Sequence, residues 1–158
     1  MTFQELLTHN RGPEWIPPHR LIALDPGETV GLALFEFGEL IDVEQIKLKF
    51  KTHNWDPLID RVCQLNPDVL AYEDYKIYPG LAKAHTLSGV PTLKVIGAIE
   101  FMCSHNKYQS ISMMASTAKG FVSDEKLKDW GFYKKALNHG RDATRLGCHA
   151  LLFNKELI

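Results

Sequence analysis

The sequence predicts an α/β domain: a mixed five-stranded sheet flanked by helices. Three observations carry that expectation. Short apolar runs of strand character crowd the early chain at 21–24, 31–35 and 40–46, with turn residues and no helical pattern between them. Helical periodicity then alternates with two further strand-like runs, at 69–72 and 109–114. A last helical pattern runs from near Asn138 to Phe153. Three strands in succession form hairpins, whereas strands separated by helices pair in parallel, so the sheet must be mixed.

Each element has its own local reason. Residues 1–20 read as an N-terminal extension, because a short apolar pattern (Phe3, Leu6, Leu7) runs into Arg11-Gly12-Pro13 and then Pro17-Pro18, which break a helix. Residues 21–158 form the folded domain. Leu21 to Leu24 is a buried strand stopped by Asp25-Pro26-Gly27, and Gly31 to Phe35 is the second strand. After the turn at Phe37-Gly38-Glu39, Ile41, Val43 and, after a slip, Ile46 alternate with polar residues as in a half-solvated strand. Pro57 suits a first helical turn, followed by a face of Leu58, Ile59, Val62 and Cys63. Asn66-Pro67-Asp68 ends that helix, and Val69 to Tyr72 is a strand ending at Glu73. Pro91 to Ser104 is a buried helix carrying Leu93, Ile96, Ile99, Met102 and Cys103, and Gln109 to Met114 is the fifth strand.

Composition narrows the classes. At 158 residues, 45% apolar and 23% charged, the chain suits one compact domain with a single sizeable core. Eighteen basic residues against nineteen acidic ones leave a net charge of −1, so a polyanion partner would need its cations clustered on one face. Cys63, Cys103 and Cys148 lie far apart, with neither a zinc spacing nor a disulfide framework, which suits a reducing cytoplasm. No run approaches the roughly 18 to 20 apolar residues of a membrane span, and the N-terminus lacks a secretion-signal layout.

The chemistry-bearing residues are acidic. Asp25 and Glu73 each follow an apolar strand, and if those strands are neighbours both carboxylates leave the same end of the sheet. His139 and Asp142, three apart on a helix, share one face. Two-metal phosphodiester cleavage needs such a set, with carboxylates holding two divalent ions roughly 4 Å apart. Hard oxygen donors favour Mg²⁺. Each residue also has an ordinary reading: Asp25 in a turn, Glu73 as a solvated strand end beside Asp74, and His139 and Asp142 in a helix start capped by Asn138.

The segments LIALDPGETVGLALFE, NPDVLAYEDYKIYPG, VIGAIEFMCSHNKYQSISMMASTAKGFV and NHGRDATRLGCHALL, in that order, resemble the successive motifs of RuvC-like Holliday junction resolvases, especially the short forms carried by phages. The resemblance covers roughly 21 to 153. It implies a ribonuclease H-like fold, with Asp25, Glu73, His139 and Asp142 as catalytic metal ligands for two ions, Mg²⁺ with Mn²⁺ able to substitute. It also implies a homodimer, each protomer nicking one strand of a four-way junction to leave a 5′-phosphate and a 3′-hydroxyl, located in the cytoplasm, the host's if the protein is phage-encoded. Lys119 is the nearest match to the family's basic residue beside the scissile phosphate, and it reads equally as a solvated loop lysine. Where bacterial members carry a junction-wedging aromatic, this chain has Lys76, flanked by Tyr75, Ile77 and Tyr78. The first twenty residues have no counterpart in the core pattern; packing on the domain, extending the dimer and contacting DNA are all open to them, and Trp15 is expected to pack.

Candidate phosphate contacts are Lys76, Lys83, Lys94, Lys119, Lys134, Lys135, Arg141 and Arg145, with Lys134-Lys135 beside Tyr133 the densest cluster. A solvated helix face accounts for that cluster equally well. Three other readings compete with the junction resolvase. One is a ribonuclease H-like, YqgF-type RNA-processing nuclease. Another is a sugar-kinase or actin-like nucleotide module, which needs a second lobe that this length cannot supply. The last is a catalytically inactive nucleic-acid-binding relative.

Overall fold

The computed structural model describes residues 1–75 and 82–157, except for the side chains of 82–90. Strands β1 (Arg20–Asp25), β2 (Thr29–Glu36) and β3 (Glu39–Lys47) form an antiparallel meander. β4 (Val69–Asp74) pairs in parallel with β1, and β5 (Gln109–Met114) in parallel with β4. The order across the sheet is β3-β2-β1-β4-β5. Helices α2 (Asp56–Leu65) and α3 (Ala82–Asn106) cover one face; α1 (Phe3–Arg11), α4 (Ala115–Phe121), α5 (Asp124–Asp129) and α6 (Asn138–Phe153) cover the other.

Because strand side chains alternate, the apolar runs divide between two cores. Leu21 and Ala23 of β1, with Ala33 and Phe35 of β2, face α6; Ile22, Leu24, Leu32 and Leu34 face α2 and α3. The slip expected in β3 is a bulge: Leu34 pairs with Asp42 and Phe35 with Leu40, which leaves Ile41 unpaired and exposed. Val43 then turns to the α6 side and Ile46 to the α2 side.

Helix α6 lies unusually close to the sheet. A Cβ at Gly31 would collide with the His139 carbonyl and come within 2.8 Å of the Gly140 nitrogen. One at Gly147 would enter the Phe35 ring. Small side chains at Gly140, Ala143, Gly147 and Ala150 recur every three to four residues and form the buried face that permits this approach. Other parts of the chain hold both helix ends. Gln45 Oε1 of β3 accepts from the backbone nitrogens of His139 (2.9 Å) and Gly140 (3.3 Å). Arg11 of α1 donates to the carbonyls of Leu151 (2.6 Å), Ala150 (3.0 Å) and Asn154 (2.7 Å).

Of the roles open to residues 1–20, packing on the domain is the one seen, and Trp15 packs as expected: a Thr2–Glu5 capping box starts α1, Phe3 and Leu7 are buried in the α6-side core, and Trp15 packs against that core while donating to the Leu157 carbonyl. Other details depart from the sequence reading. Helix α3 begins well before Pro91, which sits inside it; the fixed φ of proline is itself helical, and the preceding stretch includes the good helix formers Ala82, Lys83, Ala84 and Leu87. Cys63 is exposed rather than part of the α2 apolar face, which rests on Leu58 and Val62. A short helix, α4, carries Lys119 where the sequence suggests a loop, and a second, α5, lies in a stretch to which the sequence reading assigns no element.

Replacing Gly31 by alanine should cost about 3 kcal/mol or more, because the clash is with backbone that no rotamer change relieves. Gly97→Ala, in open space on α3, should instead stabilise by up to about 1 kcal/mol. Urea unfolding of both variants checks the pair, and an unaffected Gly31→Ala protein would contradict the backbone contact.

Candidate active site

Asp25 is the last residue of β1 and Glu73 lies in β4. The register pairing Leu24 with Tyr72 continues to set these two carboxylates side by side at one end of the sheet. Both have the parity of the α6-facing positions Ala23 and Ala71, so they point beneath the first turn of α6. Asp25 is only 8% exposed. Its Oδ2 lies 2.9 Å from His139 Nδ1. With Asp25 ionised, that bond needs the proton on Nδ1, which leaves Nε2 of the neutral ring as an acceptor.

Asp142, one turn along α6, is bound on both oxygens. Lys119 Nζ of α4 lies 3.0 Å from Oδ2, and Arg145 Nη1 lies 2.6 Å from Oδ1. Arg145 also pairs with Asp124 at the start of α5 and donates to the Val122 carbonyl. Lys119 lies on a helix rather than a solvated loop, and its ion pair with Asp142 brings the lysine to the acids.

Charge is unevenly balanced across the site. Burial pushes the Glu73 carboxyl up to about 7, and the neighbouring Asp25 charge adds to the rise against the opposing pull of Lys119. Asp25 is also raised, chiefly by burial, although the bond from His139 works the other way. Burial draws the Lys119 ammonium down, but its bond to Asp142 and the fields of Asp142, Glu73 and Asp25 outweigh this, so its pKa rises overall. Asp25 and Glu73 therefore form a pair short of positive charge beside a lysine that stays protonated.

The structure thus brings Asp25, Glu73, His139, Asp142 and Lys119 together. Among the described residues no three His, Cys, Asp or Glu side chains converge as a ready-made ligand set, and Asp142 is paired with two cations. Tyr75 is half-buried against the α2–α3 core, and Lys76 lies outside the described residues, as do the side chain of Lys83 and residues Ile77 and Tyr78. Lys134 and Lys135 are exposed on a turn, not a helix, before α6. Arg141 faces inward: it donates to the Lys134 and Lys135 carbonyls and to Asn138 Oδ1, and its guanidinium lies over the Tyr133 ring. Sequence reasoning missed Gln45, whose contact spans 94 positions, and Asp124, although Ser123 followed by two acids is a helix-start signal.

A sheet of this order, with two parallel neighbouring strands and a closing helix laid over their ends, has the architecture of the ribonuclease H-like fold. No protein-family model and no curated protein sequence matches the chain. Solved structures do. RuvC of Thermus thermophilus in complex with a Holliday junction substrate superposes with a TM-score of 0.62 at 14% identity, over 84% of this chain and 92% of that one. The yeast mitochondrial Holliday junction resolvase Ydc2 gives 0.61 at 12% identity over 98% of this chain, a span that takes in most of residues 1–20, and 86% of its own. The fowlpox virus Holliday junction resolvase gives 0.54 at 18% identity, over 84% and 97%. The chain shares the fold of these proteins.

The raised Glu73 pKa predicts a pH dependence in the protein without added metal. The folded state holds this proton to about pH 7, whereas the unfolded carboxyl releases it near 4.5. Folded protein therefore binds more protons across that window, and this contribution to stability, present below 4.5, is lost as pH rises to 7. In EDTA, the wild-type Tm should fall from pH 4.5 to 7.5 relative to that of Glu73→Gln. Parallel curves would show that Glu73 titrates as an ordinary carboxylate.

Proposed function

We propose that the chain is a metal-dependent endonuclease that cuts four-way DNA junctions and related branched DNA by paired nicks, acting as a homodimer. The observation that carries this reading is the undercompensated Asp25–Glu73 pair, flanked by His139, Asp142 and the protonated Lys119, on a fold shared with proteins solved as Holliday junction resolvases. The Thermus thermophilus RuvC structure is a complex with a Holliday junction substrate, and the fowlpox virus resolvase is also solved in a separate structure with Holliday junction DNA. A two-fold junction calls for two sites related by a two-fold axis.

The donor set fits divalent magnesium. Buried neighbouring carboxylates whose pKa values are raised lack a cation, and their oxygens are the hard donors magnesium prefers, with manganese better suited to the His139 imidazole. Asp25 and Glu73 would hold two such ions, with Asp142 and His139 completing the set. Bound there, they would supply an activated water and charge stabilisation at the leaving 3′ oxygen. Hydrolysis adds water to phosphorus and breaks its bond to that oxygen, which leaves a 5′-phosphate and a 3′-hydroxyl. Lys119, protonated throughout, neutralises a non-bridging phosphate oxygen when the strand displaces its bond to Asp142. His139 orients Asp25 through Nδ1, and Gln45 orients His139 through the backbone.

Labelled four-way junction, flap, linear duplex and RNA:DNA hybrid, each incubated with and without Mg²⁺, test the reading directly. Junction cleavage that needs metal is expected, with paired incision and a dimer's mass in sedimentation. Asp25→Asn and Asp142→Asn should lower turnover on the order of a hundredfold or more while junction binding persists. Near-normal turnover in either variant overturns the site. Cleavage confined to the hybrid identifies an RNA-processing nuclease instead.

His139 and Asp142 should behave differently. His139→Asp supplies another hard carboxylate and should retain more activity in Mg²⁺ than His139→Ala, which loses both the ligand and the bond to Asp25. Equal activity of the alanine variant and wild type in Mg²⁺ and Mn²⁺ would remove His139 from the ligand set.

A further inference from the structure

The end of the sheet that carries the acids also carries an unassigned run of cations. Lys47 closes β3, and Lys47-Leu48-Lys49-Phe50-Lys51 alternates exposed lysines with apolar residues turned inward. Leu48 is 1% exposed, and its nitrogen donates to the Glu28 carbonyl at 2.7 Å. Phe50 and Trp55 meet edge to face at 5.6 Å against the α2–α3 core, and a bridge between Lys49 and Asn54 closes the loop. The lysines therefore stand on a fixed platform. Between positions 47 and 55 there is no carboxylate, in a chain whose net charge is −1. Among the described residues none of these three lysines is ion-paired, whereas Lys119, Arg141 and Arg145 near the site all are. The lysines rim an open concavity of about 600 Å³ whose lining has Glu28 as its one acid.

We infer that this lysine strap, Lys47–Lys51, is a phosphate-backbone contact that holds one arm of the DNA substrate beside the site. The inference rests on the nuclease reading above. The register joins the two places: Gln45, which holds the first turn of α6, is two residues before Lys47 on the same face of β3, about 7 Å along the strand. A strand approaching Asp25 and Glu73 meets like charge, and the strap offsets that repulsion with three ammonium groups, unpaired among the described residues, at the same end of the sheet and two strands over from Asp25. Ammonium groups on exposed stems contact phosphate without reading bases, so the contact is independent of sequence.

The test compares wild type with the triple variant Lys47→Gln, Lys49→Gln, Lys51→Gln, and with Lys155→Gln at the far end of the sheet as control. Near 100 mM salt the triple variant should bind a four-way junction roughly tenfold or more weakly, and its log affinity should fall less steeply with log salt, by about 2 to 3 in slope. Cleavage at saturating junction should be retained, and the control should match wild type throughout. In wild type, junction DNA should also protect the three lysines from acylation, a readout that needs no variant. A folded triple variant with unchanged affinity and slope, together with unprotected lysines, overturns the strap and leaves the nuclease reading standing. Wild type that binds no junction at any salt overturns both.

Discussion

The site depends on one contact of backbone against backbone, where the first turn of α6 rests on Gly31 of β2. The side chain missing there lets the helix come down far enough for His139 to reach Asp25, across 114 positions of sequence. The small residues of α6 extend the close approach along the helix, while Gln45 and Arg11 hold its two ends. A bulkier residue at 31 would lift the half of the site that α6 carries while leaving the sheet half in place. The geometry is thus set by an absence of atoms, supported by two long-range caps.

Electrostatically the two halves are opposites. On the sheet, Asp25 and Glu73 are crowded and undercompensated, and protonation relieves them in the absence of a cation. On the helix, Asp142 has a full cationic partner on each oxygen, and Arg145 links it to Asp124. Such a boundary can take positive ions on one side and present a positive group to a phosphate on the other. Removing Arg145 would leave Asp142 Oδ1 without its cation and release the link to Asp124.

Much of this was legible in the sequence because strand and helix periods differ and the strand ends are marked by turn residues. Asp25-Pro26-Gly27 and Asn66-Pro67-Asp68 bracket the strands that carry or precede the acids, and the bounds of β5 and α6 match their patterns. What was hidden is of two kinds. Helices α4 and α5, seven and six residues long, are too short to establish a period. The caps from Gln45 and Arg11, the inward turn of Arg141 and the ion pair of Lys119 with Asp142 are made across the fold, where no local pattern records them. The first residues read as an extension because prolines follow them, with packing among the roles open to them, and Phe3 and Leu7 complete the core under α6.

The anchoring of α6 by both β3 and α1 bears on the order in which a nascent polypeptide assembles these residues. The sheet acids emerge early, but the helix that completes their surroundings is translated after all five strands, and Arg11 must wait for it with the rest of α1. Until then Asp25 lacks His139, and Phe3 and Leu7 lack much of the apolar surface they bury against. A nascent chain that has not yet passed α6 therefore holds an open half-site, and the two halves meet only once that helix has been made.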